Sequence, residues 1–352
     1  MTPIPSNDAK WPEYGIEHVT CCPVCSVQER SLLHQGLEDR IFFSAPGRWN
    51  MYRCGGCGCA YLDPRPTLET IGLAYTRYYT HTTAKPNSSE DLTGLRGFRK
   101  KLANGYRNWR YGTQYQPASI FGVLAAFLIP GARHSIDIAF RFLPRTHSRS
   151  KVLDVGFGSG EFLSYARDAG WTAVGVDIDP EVIKNGRSKG FLVRHGGIEA
   201  YADEKESFDL ITISHVIEHL HDPVNTLSQA YTLLKPGGIL WLATPNIDSY
   251  GHARYGRHWR GLEPPRHLVV FNPKALRKLL SDLGFQQIRL ISQASATRFL
   301  FAASERIKKG IDPYDERHHV PSWRAWLAVL ATIGRLDKSE IINLTCMKPE
   351  TP

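Results

Sequence analysis

From residue 151 onward, short apolar runs alternate with segments whose apolar residues recur at helical spacing. The runs KVLDV (151–155), TAVGVD (172–177), FDLITI (208–213), GILWLAT (238–244), QQIRLI (286–291) and EIINLTCM (340–347) predict strands, with a further short one at FLVRH (191–195). The intervening patterns predict helices over 161–169, 180–189, 223–234 and 273–283, with Gly170, Gly190 and Gly284 just past three of their ends, where a left-handed residue closes a helix. Such alternation predicts an α/β fold, a Rossmann-like seven-stranded sheet. Upstream the pattern changes. From Pro64 to about residue 150 it is helical: Thr67 is placed to cap a helix through Tyr75, aromatic and basic residues interleave from Phe98 to Trp109, and the longest apolar run, 118–130, is too short to cross a bilayer. Six of the seven cysteines precede residue 60. The predicted partition is therefore a cysteine module over 1–66, a helical basic connector or lid over 67–147 and the α/β domain over 148–352.

The chain of 352 residues, 42% hydrophobic and 22% charged, is long enough for a sizeable core and for more than one domain. Its first twenty residues hold no signal-like apolar stretch, so a cytoplasmic protein is expected. The formal net charge of +9 is unevenly spread: from Arg96 to Arg149 ten basic residues face one acid, Asp137. That cluster suits an anionic partner, whether nucleic acid, the phosphates of an activated sugar, or the inner face of a membrane touched peripherally through residues 96–149. It reads equally as a solvated helix face, and the apolar run beside it as a buried helix.

The run Val152-Leu153-Asp154-Val155-Gly156-Phe157-Gly158-Ser159-Gly160-Glu161 places three glycines where a buried strand turns into a helix. Glycine there permits positive φ and a close approach of backbone to ligand. The dinucleotide fingerprint would need its third glycine one residue later, where Glu161 stands. Asp154, two residues before the first glycine, would repel a pyrophosphate but attract a cation such as an α-ammonium group. Asp177, closing the next strand, can accept hydrogen bonds from ribose hydroxyls, whereas Asp179, just before Pro180, is better suited to cap the following helix.

These segments, with HGGIEA, SFDLITISHVIEHLHDP, LLKPGGILWLATPN, PPRHLVVFNPKAL and LLSDLGF in order, resemble class I S-adenosylmethionine (SAM)-dependent methyltransferases over most of the chain. The resemblance implies SAM as cofactor, with Asp154, Gly156, Gly158 and Gly160 around its methionine part, Asp177 on the ribose, and Gly197 and Ile198 along the adenine. Ile178 and Ser214, at the ends of the same strands, complete that set. Two positions depart from the family pattern. Phe157 stands where many relatives have cysteine, and Gly197 where many have Asp, which leaves adenine to the main chain or to Glu199.

Cys22-Pro-Val-Cys25 and Cys54-Gly-Gly-Cys57 are two C-x-x-C pairs that together offer four thiolates to a tetrahedral zinc. Disulfides are the alternative, which the absence of a secretory signal disfavours. Four thiolates leave no open position, so the zinc would be structural; Cys21 and Cys59 are spare. The stretch CGCAYLDPRPTLETIGLAYTRYY resembles the segment joining a zinc ribbon to the methyltransferase domain in bacterial enzymes of sugar and surface-polysaccharide modification. No long C-terminal extension of the deoxysugar C-methyltransferase kind aligns, which turns the reading from carbon toward oxygen as the accepting atom.

In an open α/β sheet substrate meets cofactor beyond the carboxyl ends of the strands. After FDLITI come Ser214, His215, Glu218, His219 and His221; after GILWLAT come His252, His258, Trp259, Arg260, Arg266 and His267. Displacement at a sulfonium methyl needs no acid, but an acceptor hydroxyl needs a base, for which His219 and His267 lead and His215 follows. A histidine here serves equally well to cap a helix or orient a loop. Glu218 is placed to orient a histidine or bind a sugar hydroxyl, Arg260 and Arg266 to hold a phosphate, and Trp259 to stack on a sugar or base. The leading expectation is a SAM-dependent methyltransferase of a nucleotide- or lipid-linked sugar in polysaccharide biosynthesis. An RNA methyltransferase and a non-catalytic SAM-binding zinc-ribbon scaffold are the alternatives.

Overall fold

The structure is a computed structural model that describes residues 10–75, 94–129, 131–146, 150–292, 294–315, 317–318, 320, 323–332 and 334–350. In chain order the strands are β1 (Ile16–Glu17), β2 (Arg30–Leu37), β3 (Trp49–Cys54), β4 (Ala60–Leu62), β5 (Arg65–Pro66), β6 (Lys151–Val155), β7 (Thr172–Asp177), β8 (Leu192–His195), β9 (Phe208–Ser214), β10 (Leu234–Pro245), β11 (Val269–Val270), β12 (Gln286–Leu290) and β13 (Ile341–Met347). The helices are α1 (Gly94–Tyr111), α2 (Gly122–Leu128), α3 (Ala132–Ala139), α4 (Glu161–Asp168), α5 (Pro180–Ser188), α6 (Pro223–Leu233), α7 (Tyr250–Tyr255), α8 (Pro273–Asp282), α9 (Ala294–Lys308) and α10 (Trp323–Thr332).

Seven strands form one sheet in the order β12-β13-β10-β9-β6-β7-β8. The pairs β6–β7, β6–β9 and β7–β8 are parallel and β12–β13 is antiparallel, so the seven predicted strands all belong to a Rossmann-like sheet. β6 and β9 bury nearly every residue, as central parallel strands covered on both faces must. Gly170, Gly190 and Gly284 take φ of 86°, 74° and 96°, the left-handed conformation expected just past α4, α5 and α8.

A second sheet, β11-β4-β3-β2, is antiparallel throughout. This sheet takes strands from both sides of residues 66 and 147. β11 comes from far along the chain, yet Val269 and Val270 pair with Tyr61 and Ala60, satisfying the free edge of β4. The described chain accordingly divides into a unit of residues 1–79, 214–231 and 242–349 and a unit of 80–213, 232–241 and 350–352. The helix foreseen from Thr67 is instead a 3-10 turn over Ile71–Tyr75. The basic segment does form helices, α1 to α3; its last member, Arg149, lies outside the described residues. Among the described residues no helix is long and apolar enough to cross a membrane.

Candidate active site

In the unit of residues 80–213, β6 runs into a turn where Gly156, Gly158 and Gly160 have φ of 68°, 54° and 77°. A Cβ on Gly158 would meet no other part of the chain within 4 Å, so this backbone borders open space. Gly160 is different: its Cβ would run into the Phe191 ring at 2.6 Å. Phe157, the departure noted in the sequence, is buried with Leu163, Val182, Ile183, Phe191 and Val193. A Cβ on Gly175 or Gly186 would approach the Phe157 ring to 2.9 Å, so these glycines make room for the larger residue.

Asp154 is fully buried. Its Oδ1 is paired with Arg141 and accepts from the Thr212 hydroxyl at 2.9 Å, while Oδ2 is buried with no partner. Burial pushes the Asp154 carboxyl up, opposed by the charge and hydrogen bond of Arg141. An orphaned carboxylate oxygen beside a glycine turn fits an ammonium group, so Asp154 suits the methionine end of SAM. Arg141 escaped the sequence reading because it lies in a run of surface charges; it is mostly buried, with φ 47° and its guanidinium 4.0 Å from the Phe162 ring centre. Asp177 accepts from Gly158 N at 3.1 Å and Asp179 N at 3.0 Å, thereby shaping the turn as well as closing β7, and burial raises its pKa. Asp179 caps α5 through Glu181 N at 2.8 Å with Pro180 at the first helical position, as anticipated. Ile178 is exposed and Ile198 buried, so of the two only Ile178 presents its side chain outward. Glu199 folds back onto Gly197 N at 2.7 Å. Ser214 ends β9, half-buried.

In the unit containing residues 214–231 and 242–349, the segment after β9 holds a compact acid–histidine cluster. Glu218 is wholly buried: Oε2 accepts from the Thr244 hydroxyl at 2.9 Å and Oε1 faces His215 Nδ1 at 3.3 Å. Burial pushes its carboxyl up, but His215, then His219 and His267, hold it at about 2. His215 carries φ 54°, strained for a residue with a Cβ, and its ring is exposed. His219 Nδ1 lies 3.0 Å from the Arg266 carbonyl and 2.9 Å from the Tyr75 hydroxyl. A carbonyl can only accept, so Nδ1 carries the proton and Nε2 keeps its lone pair. His267 is fixed the same way by the Gly261 carbonyl at 2.8 Å, but it is buried, and burial lowers its pKa to about 4. That makes His267 a poor proton acceptor at neutral pH and leaves His219, which is partly exposed, as the better placed base. One donor atom each of Glu218, His219 and His267 lie within 4.8 Å of one another, a set able to hold a metal ion.

Three other expectations in this unit change. Arg266 is fully buried and its fork is already used: it clasps Asp39 at 2.7 and 3.0 Å, Glu263 at 3.0 Å and the Ala74 carbonyl at 2.9 Å. Arg260 pairs with Glu263 and donates to the Tyr314 hydroxyl at 2.9 Å. Neither arginine is free for a phosphate. Trp259 is buried with its indole N–H on Glu340 at 2.7 Å, so it is core and cannot stack on a ligand.

The buried titrating groups set a pH optimum for stability. Burial lowers His34 and His267 to about 4, so their contribution is present above their unfolded value near 6.5 and is lost as pH falls toward 4. Burial raises Glu340 to about 7, so its contribution is present below its unfolded value of 4.5 and is lost as pH rises through 7. The urea midpoint is expected to peak near pH 6.5 and to fall steeply on the acid side, and Glu340→Gln should flatten the alkaline side. A midpoint constant from pH 4.5 to 6.5 would contradict this.

The four predicted ligand cysteines converge. Cys22 Sγ lies 3.6 Å from Cys57 Sγ and Cys25 Sγ 3.5 Å from Cys54 Sγ, close to the ~3.8 Å edge of a tetrahedron with ~2.3 Å metal–sulfur bonds. Tight turns shape both halves: Ser26 N bonds the Cys22 carbonyl and Gly58 N the Cys54 carbonyl. Asn272, which caps α8, also donates to the Cys57 carbonyl at 2.9 Å.

A mostly parallel seven-stranded sheet with a glycine turn at the end of β6 and acids closing β6 and β7 is a Rossmann-like methyltransferase fold. A family model described as a methyltransferase domain matches residues 132–290. The chain is 26% identical over 154 residues to a probable S-adenosylmethionine-dependent methyltransferase of Mycolicibacterium smegmatis, covering 43% of this chain and 57% of that protein. It is 34% identical over 107 residues to a ubiquinone biosynthesis O-methyltransferase of Actinobacillus pleuropneumoniae, covering 27% of this chain and 46% of that one. The chain thus spans about half the length of these curated relatives. Among solved structures it resembles a phosphoethanolamine N-methyltransferase of Haemonchus contortus, with TM-score 0.46 and 16% identity over 82% of this chain and 63% of that one.

Proposed function

We propose that the chain is an enzyme transferring a methyl group from SAM to a hydroxyl of a small-molecule acceptor, a nucleotide- or lipid-linked sugar being the preferred class. The observation that carries the SAM half is the buried, unpartnered Oδ2 of Asp154 beside three glycines of positive φ. Oxygen as acceptor is supported by the O-methyltransferase relative and by the acid–histidine cluster. When bound, SAM supplies a sulfonium methyl whose departure leaves a neutral thioether. For that chemistry His219 would take the acceptor's hydroxyl proton on Nε2. The Arg266 carbonyl and Tyr75 hold its Nδ1 edge, and the Glu218 carboxylate stabilises positive charge arriving on the imidazoles. Asp154 would hold the ammonium, beside the turn that Asp177 shapes through Gly158 N.

Calorimetry with SAM and S-adenosylhomocysteine tests this reading. Wild type should bind both, and Asp154→Ala should weaken them about ten- to hundredfold through loss of a charge-assisted hydrogen bond. No binding by wild type would overturn the reading, and unchanged affinity in Asp154→Ala would remove Asp154 from the site. The cysteine cluster belongs to the same proposal as a structural zinc site. One equivalent of zinc per chain is expected by elemental analysis of protein purified under reducing conditions, lost in Cys22→Ser/Cys25→Ser. Metal-free protein would reject it.

A further inference from the structure

The helical insert before β6 is built inside out. Its inner side is polar and aromatic: Tyr106 and Tyr111 both donate to the one acid, Asp137, at 3.0 and 2.7 Å, all three groups being buried. Tyr111 stacks on Phe140 and Phe140 on Tyr165 of α4, with ring centres 4.2 and 4.8 Å apart, which ties the insert to the sheet domain. α1 and α2 cross at glycine. A Cβ on Gly105 would lie 1.8 Å from the Ser119 carbonyl oxygen, and one on Gly122 2.1 Å from that of Leu102, so the two backbones touch and leave no room for side chains between them. The large apolar residues of α2 and its flanks are consequently turned outward.

Ile120, Phe121, Leu124, Phe127, Leu128 and Ile129 are 51–87% exposed, which removes the reading of this run as a buried helix. Phe98 and Trp109 of α1 are exposed too. Beside them Arg96, Arg99, Lys100, Lys101, Arg133 and Arg145 are exposed, and Asp137, the only acid between residues 94 and 146, is buried. Arg133 lies over the Phe127 ring, 4.9 Å from its centre, so cation and apolar surface share one patch.

We propose that this insert is a membrane-docking element, in which α2 sinks its apolar side chains into the acyl boundary while the bases of α1 and α3 meet anionic headgroups. The seven residues of α2 span only about 10 Å, enough to lie in an interface and too little to cross one. Apolar burial and headgroup attraction together give the two signals that stable peripheral binding requires. RNA would use the bases but would leave six large apolar side chains in water. A second copy of the chain would bury the apolar residues but would bring two dense positive patches together, which is unfavourable. The inference does not depend on methyl transfer.

The test is flotation of the full chain with phosphatidylcholine vesicles, with and without phosphatidylglycerol, alongside size-exclusion light scattering and an RNA gel shift at the same salt. Wild type is expected to float with the anionic vesicles only and to remain monomeric. Arg99→Gln/Lys100→Gln/Lys101→Gln should weaken partitioning about a hundredfold, and Leu124→Asp/Leu128→Asp should abolish it. Both variants change exposed side chains, so circular dichroism and the urea midpoint should match wild type. Failure to float, equal flotation with neutral vesicles, or flotation by either variant at the wild-type level would overturn the proposal. So would self-association or tight RNA binding in place of vesicle binding.

Discussion

Arg266→Ala is expected to cost the protein about 3–5 kcal/mol, read as a lower urea midpoint at unchanged slope. The side chain is wholly buried between two carboxylates, Asp39 and Glu263, with its cation above the Phe42 ring at 4.4 Å. Removing it leaves Asp39 facing an empty space with four backbone amides and a hydroxyl still in place, and leaves Glu263 with Arg260 and, at 3.7 Å, His267 Nε2. Arg266→Lys should recover less than half of the loss, because an ammonium cannot grip Asp39 in a fork while also reaching Glu263 and the Ala74 carbonyl. A loss below about 1 kcal/mol in Arg266→Ala would show that the cluster contributes little net stability, as buried ion pairs sometimes do.

This cluster also marks where sequence reasoning ran out. The strands of the large sheet were legible because each is a short apolar run, and every one formed within a few residues of its expected place. That Gly156, Gly158 and Gly160 form a turn and that Cys22, Cys25, Cys54 and Cys57 cluster was legible from their spacing. Arg266, Arg260 and Trp259 were misread as ligand contacts. In one dimension an arginine directly after Pro264-Pro265 looks free, and its partner Asp39 lies more than two hundred positions away. Val269–Val270 is too short to announce a strand, and only pairing with β4 reveals it. Arg141 was hidden for a similar reason: ten bases in one segment look alike until one of them turns inward to Asp154.

The misread residues nevertheless explain the candidate base. The Arg266 main chain holds His219 Nδ1 while its side chain is clamped by Asp39 and Glu263, so the position of the imidazole is set by a buried ionic anchor. Glu263 in turn has φ 37° and accepts from His267 N through its carbonyl at 3.1 Å, which braces the loop that carries Arg266 and His267.

His219→Ala is expected to lower methyl transfer by about 10²–10⁴-fold while SAM affinity, which the proposed function assigns to Asp154 and the glycine turn, stays at the wild-type level. Tyr75→Phe should cost far less, since the Arg266 carbonyl still holds Nδ1. Glu218→Gln should fall between the two: the amide keeps the volume and a hydrogen bond to Thr244, but it removes the buried negative charge facing His215, His219 and His267. His267→Asn should act mainly through stability, because that imidazole is buried, neutral at pH 7 and engaged with the Gly261 carbonyl. Transfer of tritiated methyl from SAM into the small-molecule and lipid fractions of a cell extract ranks the four variants whatever the acceptor is. Wild-type transfer by His219→Ala would sink its role as base. A uniform loss in all four, accompanied by lower urea midpoints, would reduce the cluster to a structural one, whereas the order His219, Glu218, Tyr75 at equal stability would tie the proton to Nε2 of His219.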